Sequence, residues 1–150
     1  MTEPAPNPTI RPAVADDEDG VFALAVDFAT SFALDRERFR QSFAELLGDP
    51  TCLLLVAEHE GAAVGYLLAF VHGSFFANGP VAWIEEVTVR PDTRLGGLGR
   101  ALVDEAERWS TTNGAALVAL ATRRADAFWQ AVGYEPSANY LRKLLPEPGG

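Results

Sequence analysis

The sequence has few of the features that form disulfides, span a membrane or direct secretion. It contains one cysteine, Cys52, which excludes an internal disulfide and is typical of a reducing compartment. It has no apolar run long enough to span a bilayer, and its N-terminus, MTEPAPNPTI, lacks the basic start and apolar core of a secretion signal. We therefore expect a cytoplasmic protein without a membrane partner.

Basic residues are scarce as well. The chain has 12 Lys and Arg against 21 Asp and Glu, which gives a formal charge of −9, and its only lysine is Lys143. A sequence-independent nucleic-acid binder needs a basic stripe that displaces counterions, and none is visible, so we expect no nucleic-acid partner. The acidic surface either attracts cationic small molecules and basic peptides or serves only to keep the protein soluble.

Histidine is the third scarce residue type, represented by His59 and His72. Neither histidine has further residues at the spacing of a metal site or a catalytic triad. We therefore predict no metal site and assign neither histidine a role.

Length and apolar content, in contrast, are sufficient for a packed core. The chain has 150 residues, 48% of them apolar, which predicts a single domain over 1–150 with a flexible leader at 1–8 and a flexible tail at 146–150. Strand-like and helix-like stretches alternate, and some neighbouring strands read as hairpins. This order predicts an α/β fold with a mixed central sheet of about six to seven strands, flanked by about four helices.

Apolar periodicity and turn residues predict where these elements lie. The predicted helices cover 16–28, 35–47, 98–109 and 125–132. The predicted strands cover 9–13, 52–58, 63–71, 81–90 and 115–121, and a terminal strand or hairpin covers 134–145.

The most specific pattern runs from the strand at 81–90 into the helix after it. The strand stops at Pro91-Asp92, and a glycine-rich turn at 94–99 leads into the helix. Glycines let the backbone approach a bulky anion, and the unpaired N–H groups and dipole of the first helical turn attract it. This stretch predicts a pyrophosphate-binding site with formal charge from Arg90, Arg94 and Arg100.

Two common phosphate-binding motifs do not fit this turn. A dinucleotide fingerprint needs a third glycine where this chain has Leu102. The phosphate loop of nucleoside-triphosphate enzymes needs Gly-Lys-Ser/Thr, which a chain with Lys143 as its only lysine does not have.

The spacing V-x-V-x-P-x-x-R-x-x-G-x-G does fit, and it is carried by Val87, Val89, Pro91, Arg94, Gly97 and Gly99. With Glu85 just upstream, it resembles motif A of the GNAT superfamily of N-acetyltransferases. The resemblance implies transfer of an acetyl group from acetyl-CoA to a primary amine of a small molecule or peptide. It leaves the acceptor open among aminoglycosides, polyamines, amino acids, protein N-termini and lysines, and it allows a homodimer. The alternative is an acyl-CoA-binding sensor or pseudoenzyme without efficient turnover.

The resemblance also implies which residues contact acetyl-CoA. The strand would bond the pantetheine, and the turn and helix start would hold the pyrophosphate. A later family motif can be aligned with 122–134. Thr122 replaces its asparagine, and Trp129 replaces the tyrosine that in many members protonates the leaving thiolate. The implied cofactor residues are Val87, Thr88, Val89, Arg94, Leu95, Gly96, Gly97, Leu98, Gly99, Arg100, Thr122 and Phe128.

Two residues are candidates for the chemistry that this family performs. The resemblance implies Glu85 as the general base, directly or through a water, because the family often has a glutamate at this position. Strand alternation would also put its carboxylate on one face with Trp83, Val87 and Val89, where it needs a partner or a function. Its structural alternative is an ion pair with a nearby arginine. Tyr140 is the candidate general acid, with Tyr134 or a water left open.

Overall fold

The computed structural model describes residues 7–92 and 96–148. The chain divides into two compact units, 1–120 and 121–150. Within the described residues, the first unit holds five strands, three α-helices and a short 3-10 helix at Ala15–Asp17, and the second holds one short α-helix. No helix in the described ranges is long and apolar enough to cross a membrane.

The five strands form one mixed sheet in chain order, which confirms the predicted α/β fold. All neighbouring pairs are antiparallel except the last, which is parallel. The second and third strands form the predicted hairpin, whose turn residues Glu60 and Gly61 both have positive φ. The strands are β1 Thr9–Pro12, β2 Cys52–His59, β3 Ala62–His72, β4 Val81–Val89 and β5 Val118–Leu120.

The helices begin and end close to the predicted bounds. Asp35 caps α2 by accepting a hydrogen bond of 2.9 Å from the Arg38 N–H. Gly114, with φ of 77°, follows the end of α3. The helices are α1 Glu18–Phe28, α2 Arg36–Leu47, α3 Leu98–Thr112 and α4 Asp126–Ala131.

Both faces of the sheet are buried, as the continuous apolar strands predict. On one face, α1 and α2 enclose a core with Val56 and Tyr66 of the sheet. The opposite face carries Leu55 and Leu67, both fully buried, and α3 contacts β2, β3 and β4. The buried side of α3 consists of Leu98, Leu102, Val103, Ala106 and Ser110.

The prediction of a terminal strand or hairpin at 134–145 is wrong. The structure shows no strand in these residues, so the described sheet has five strands rather than the six to seven expected. Leu141 and Leu145 are 87% and 79% exposed. Their apolar spacing resembles that of a strand, but no neighbouring strand pairs with this segment in the described chain, so the pattern does not mark a buried face.

Candidate active site

A β-bulge interrupts β4 at Glu85. Opposite β3, Glu86 pairs with Leu68 and Ile84 pairs with Ala69, so Glu85 is the extra residue. The bulge shifts the alternation of side chains. Trp83, Glu86 and Thr88 therefore share one face of the sheet, and Ile84, Val87 and Val89 share the other.

The predicted grouping of Glu85 with Trp83, Val87 and Val89 is therefore only partly right. Trp83 does lie beside Glu85, because its Nε1–H donates a hydrogen bond of 2.8 Å to Glu85 Oε2. Val87 and Val89 belong to the opposite face, because one extra residue in the strand reverses the alternation beyond it. Glu85 is exposed rather than set among apolar side chains, and within the described residues it forms no ion pair.

A second carboxylate at the bulge was not predicted. Glu86 is half-buried, and its Oε1 accepts a hydrogen bond of 2.7 Å from the hydroxyl of Tyr66. Tyr66 is 2% exposed, and burial, together with the charge of Glu86, raises the pKa of its phenol above the ordinary tyrosine value. Two adjacent acidic residues, Glu85 and Glu86, depart from the strict alternation of side chains expected in a regular strand. This departure was the sequence signal for the bulge and for the second carboxylate.

Beyond the bulge, one edge of β4 is not paired with β5. The parallel register joins only Ala82 to Val118, Trp83 to Ala119 and Ile84 to Leu120. Over the rest of β4, no pairing with β5 is found in the described chain.

The hydrogen-bond alternation of β3 and β4 determines which main-chain groups face this open edge. Arg90 N–H donates to the Val64 carbonyl at 2.8 Å, which makes this a hydrogen-bonded pair of the antiparallel ladder. Every second residue then turns away from β3, so the main-chain groups of Val87 and Val89 point to the open edge. The main-chain groups of Thr88 point to β3, and the cofactor contact predicted for Thr88 stays a prediction.

The turn after β4 leads into a helix start without a capping side chain. Gly97 is the N-cap with φ of 89°, a left-handed conformation that favours glycine, and its carbonyl accepts the first helical bond from Ala101. The N–H groups of Leu98, Gly99 and Arg100 therefore lack partners within α3. A Cβ added at Gly96 or Gly97 would meet no described atom within 4 Å.

Two of the three arginines predicted to supply positive charge around this turn, Arg90 and Arg100, lie within the described residues. Arg94 and Leu95 lie outside the described residues, so their predicted contacts stay predictions. Arg90 pairs with Asp92, with Nη2 and Oδ2 3.0 Å apart, so its charge is partly neutralised. Arg100 is exposed on the first turn of α3. Bare amides, open space and Arg100 together fit a phosphate-bearing ligand.

The remaining predicted site residues belong to the second unit. Thr122 Oγ1 accepts a hydrogen bond of 3.2 Å from the Ala125 N–H, which stabilises the turn into α4. Phe128 and Trp129 lie edge to face with ring centroids 5.0 Å apart, and Trp129 packs in the same way on Tyr134 at 5.1 Å. Tyr140 is 60% exposed. The roles predicted for Thr122, Phe128 and Tyr140 stay predictions.

The geometry of the first unit suits a protein that binds an extended ligand with amide and phosphate groups. A strand with an open main-chain edge runs into an uncapped helix start, so an extended ligand with amide and phosphate groups can bond to both. Carboxylates at the bulge, next to the open edge, add groups able to accept a proton.

Comparison with known sequences gives the family. Residues 19–134 match the sequence profile of the acetyltransferase (GNAT) family, and the chain belongs to that family. It is an N-acetyltransferase, and acetyl-CoA is its acyl donor.

A curated relative agrees with this assignment. The chain is 31% identical over 140 residues to the aminoalkylphosphonate N-acetyltransferase of Salmonella typhimurium, with 91% of this chain and 90% of that protein covered.

Two solved structures share the fold. The glucosamine-6-phosphate N-acetyltransferase of Arabidopsis thaliana superposes with a TM-score of 0.82 at 20% identity, covering 94% of this chain and 100% of that one. An aminoglycoside N-acetyltransferase in complex with CoA gives a TM-score of 0.82 at 18% identity, covering 97% and 99%.

Proposed function

We propose that this N-acetyltransferase acetylates a primary amine of a small molecule or peptide by direct attack of the amine, with Glu85 as general base. One observation carries the proposal. The bulge in β4 exposes the Glu85 carboxylate where the pairing of β4 with β5 ends, beside the open main-chain edge.

Acetyl-CoA supplies the acyl group as a thioester. The main-chain groups of Val87 and Val89, which face the open edge of β4, would bond the pantetheine amides. The amides from Leu95 to Arg100, with the guanidinium groups of Arg94 and Arg100, would hold the pyrophosphate. A main-chain N–H near Val87 would polarise the thioester oxygen, where negative charge develops.

Glu85 prepares the acceptor amine. An ammonium has no lone pair for attack, so a base must first take a proton, directly or through a water. The indole of Trp83 holds one oxygen of the Glu85 carboxylate at 2.8 Å, which fixes its orientation. Tyr140 is the proposed acid that returns a proton to the departing sulfur.

The acceptor is proposed from two arguments that point to different amines. The relative in Salmonella typhimurium is named for aminoalkylphosphonates, which carry an anionic phosphonate beside the amine. The net charge of −9 favours amines with a positive charge. We therefore propose a small-molecule amine and test both kinds with 2-aminoethylphosphonate, spermidine and kanamycin.

The deciding experiment combines binding with turnover. Calorimetric titration with acetyl-CoA, CoA and ATP is expected to show binding of both CoA species and none of ATP. Glu85→Gln is expected to lower kcat by about a hundredfold or more, as loss of a general base does, without changing the Kd for CoA. Glu37→Gln, an exposed carboxylate on α2, is the matched control with normal turnover.

Three outcomes would contradict parts of this proposal. Normal turnover of Glu85→Gln would exclude Glu85 as the base. CoA binding without turnover of any amine would favour the acyl-CoA sensor. A failure to bind CoA would reduce the turn at 96–99 to a structural feature.

A further inference from the structure

We propose that Glu86 binds the ammonium group of the acceptor, and that Tyr66 is the positioning residue that orients Glu86 for this contact. The inference rests on the proposed function, in which the neighbouring Glu85 accepts the proton. It assigns separate tasks to the two carboxylates of the bulge.

The first support is the position of the two carboxylates. A regular strand would send adjacent side chains to opposite faces. The bulge instead leaves Glu86 on the face of Trp83, and the hydrogen bond from Trp83 holds the Glu85 carboxylate on that side too. Two carboxylates from consecutive residues are therefore both hydrogen-bonded to side chains of one sheet face, Glu85 to Trp83 and Glu86 to Tyr66.

The second support is the environment of Tyr66. Its ring is 2% exposed and belongs to the core formed with Val21, Leu24 and Phe43. A ring held in this way has little freedom, so its hydroxyl fixes one oxygen of Glu86 at 2.7 Å. Because burial keeps this phenol protonated, it remains a hydrogen-bond donor throughout the physiological pH range.

The third support is the uncompensated charge of Glu86. The side chain is half-buried, yet in the described parts of the chain it forms no ion pair. Two arginines of this part of the chain already have carboxylate partners, since Arg36 of α2 pairs with Glu18 and Asp19, and Arg11 of β1 pairs with Asp17 and Glu58. A partly desolvated carboxylate without a cation is costly, and an incoming ammonium would supply that cation.

The proposal predicts different kinetic effects for the two carboxylates. Glu86→Gln removes the charge that binds the ammonium, so KM for the amine is expected to rise about tenfold to a hundredfold, as expected for hydrogen bonds to charged groups. Because Glu85 remains as the base, kcat is expected to persist. Glu85→Gln is instead expected to lower kcat.

Tyr66→Phe tests the positioning role with a smaller structural change. It keeps the ring and deletes the hydroxyl, so KM is expected to rise about threefold to tenfold while kcat stays within about a factor of two. The acceptor used is whichever of 2-aminoethylphosphonate, spermidine or kanamycin gives the highest kcat/KM. Titration of that amine into the protein–CoA complex provides a second measurement that does not depend on turnover.

The possible results separate this inference from the function on which it rests. If the wild type acetylates no amine, both the proposed function and the role of Glu86 are contradicted. If the wild type turns over but Glu86→Gln leaves KM and amine affinity unchanged, only the role of Glu86 is contradicted. If Tyr66→Phe lowers the melting temperature without changing KM, Tyr66 has a purely structural role. Unchanged CoA affinity in each variant establishes that it has folded, and Glu37→Gln again serves as the control.

Discussion

Gly65 and Val89 lie opposite each other in β3 and β4, and the strands approach so closely there that only glycine fits at position 65. A Cβ added at Gly65 would lie 2.8 Å from the Thr88 carbonyl oxygen and 3.1 Å from Cγ2 of Val89. This contact sets the position of the strand that we propose binds the pantetheine. Packing in β3 and cofactor binding on β4 are therefore linked at one glycine.

The first prediction concerns Gly65→Ala. The added methyl group forces β4 away from β3, so the free energy of unfolding is expected to fall by about 1–3 kcal/mol, as overpacking does. The Kd for CoA is expected to rise because Val87 and Val89 move with the strand. Urea unfolding and calorimetry measure the two effects. Gly73→Ala is the control, since no described atom lies within 4 Å of its added Cβ, and equal effects of the two variants would contradict the prediction.

The second prediction separates the two ends of α3. Gly97 and Gly114 both have positive φ, 89° and 77°, so alanine at either position is expected to destabilise the fold by about 1 kcal/mol. Gly97 borders the bare amides of the helix start, so only Gly97→Ala is expected to weaken CoA binding, by about tenfold, the value of one lost charge-assisted hydrogen bond. Equal CoA affinity of the two variants would show that the helix start does not bind the pyrophosphate.

Much of this fold was predictable because burial leaves a periodic pattern. The apolar runs of β2 and β3 and the helical stripe of Leu98, Leu102 and Ala106 each face a core. The segment 134–145 carries a similar pattern, yet Leu141 and Leu145 are exposed. Periodicity alone cannot tell a buried strand from an exposed segment, because it contains no information about a neighbouring strand.

The candidate site was predictable where it is contiguous in sequence and not where it depends on register. The turn before α3 and the helix itself are local, so sequence spacing was sufficient to predict them. The Tyr66–Glu86 pair joins residues 20 positions apart and exists only because of the pairing of β3 with β4. The bulge at Glu85 adds one residue to a strand, which an alternation of period two cannot represent.

The third prediction concerns Cys52. Burial, with a contribution from Asp49, raises the pKa of its thiol to about 11. Because the thiolate is the reactive form, we expect labelling by Ellman's reagent at pH 8 to be at least about a hundredfold slower in the native protein than in denaturant. The native rate should rise as the pH approaches the raised pKa. Equally fast labelling of both states would show that the thiol is not shielded.

The fourth prediction concerns the pairing of Arg11 with Asp17, which ties β1 to the start of α1. The two side chains form two hydrogen bonds, Nη1 to Oδ2 at 2.8 Å and Nη2 to Oδ1 at 2.9 Å. The guanidinium of Arg11 lowers the pKa of Asp17, the N–H of Val14 lowers it further, and partial burial opposes both. The folded state therefore favours the ionised carboxylate.

The pH dependence follows from the direction of that shift. A carboxyl whose folded pKa lies below its unfolded value of about 3.9 stabilises the protein above that value, and this stabilisation is lost as the pH falls through the folded pKa. Asp17→Asn is thus expected to lower the free energy of unfolding at pH 7 by about 1.5–3 kcal/mol. The difference from wild type is expected to shrink below pH of about 4. Urea titrations at several pH values measure it, and the exposed Asp16→Asn is the control. A difference that stays constant with pH would show that Asp17 acts through packing rather than through its charge.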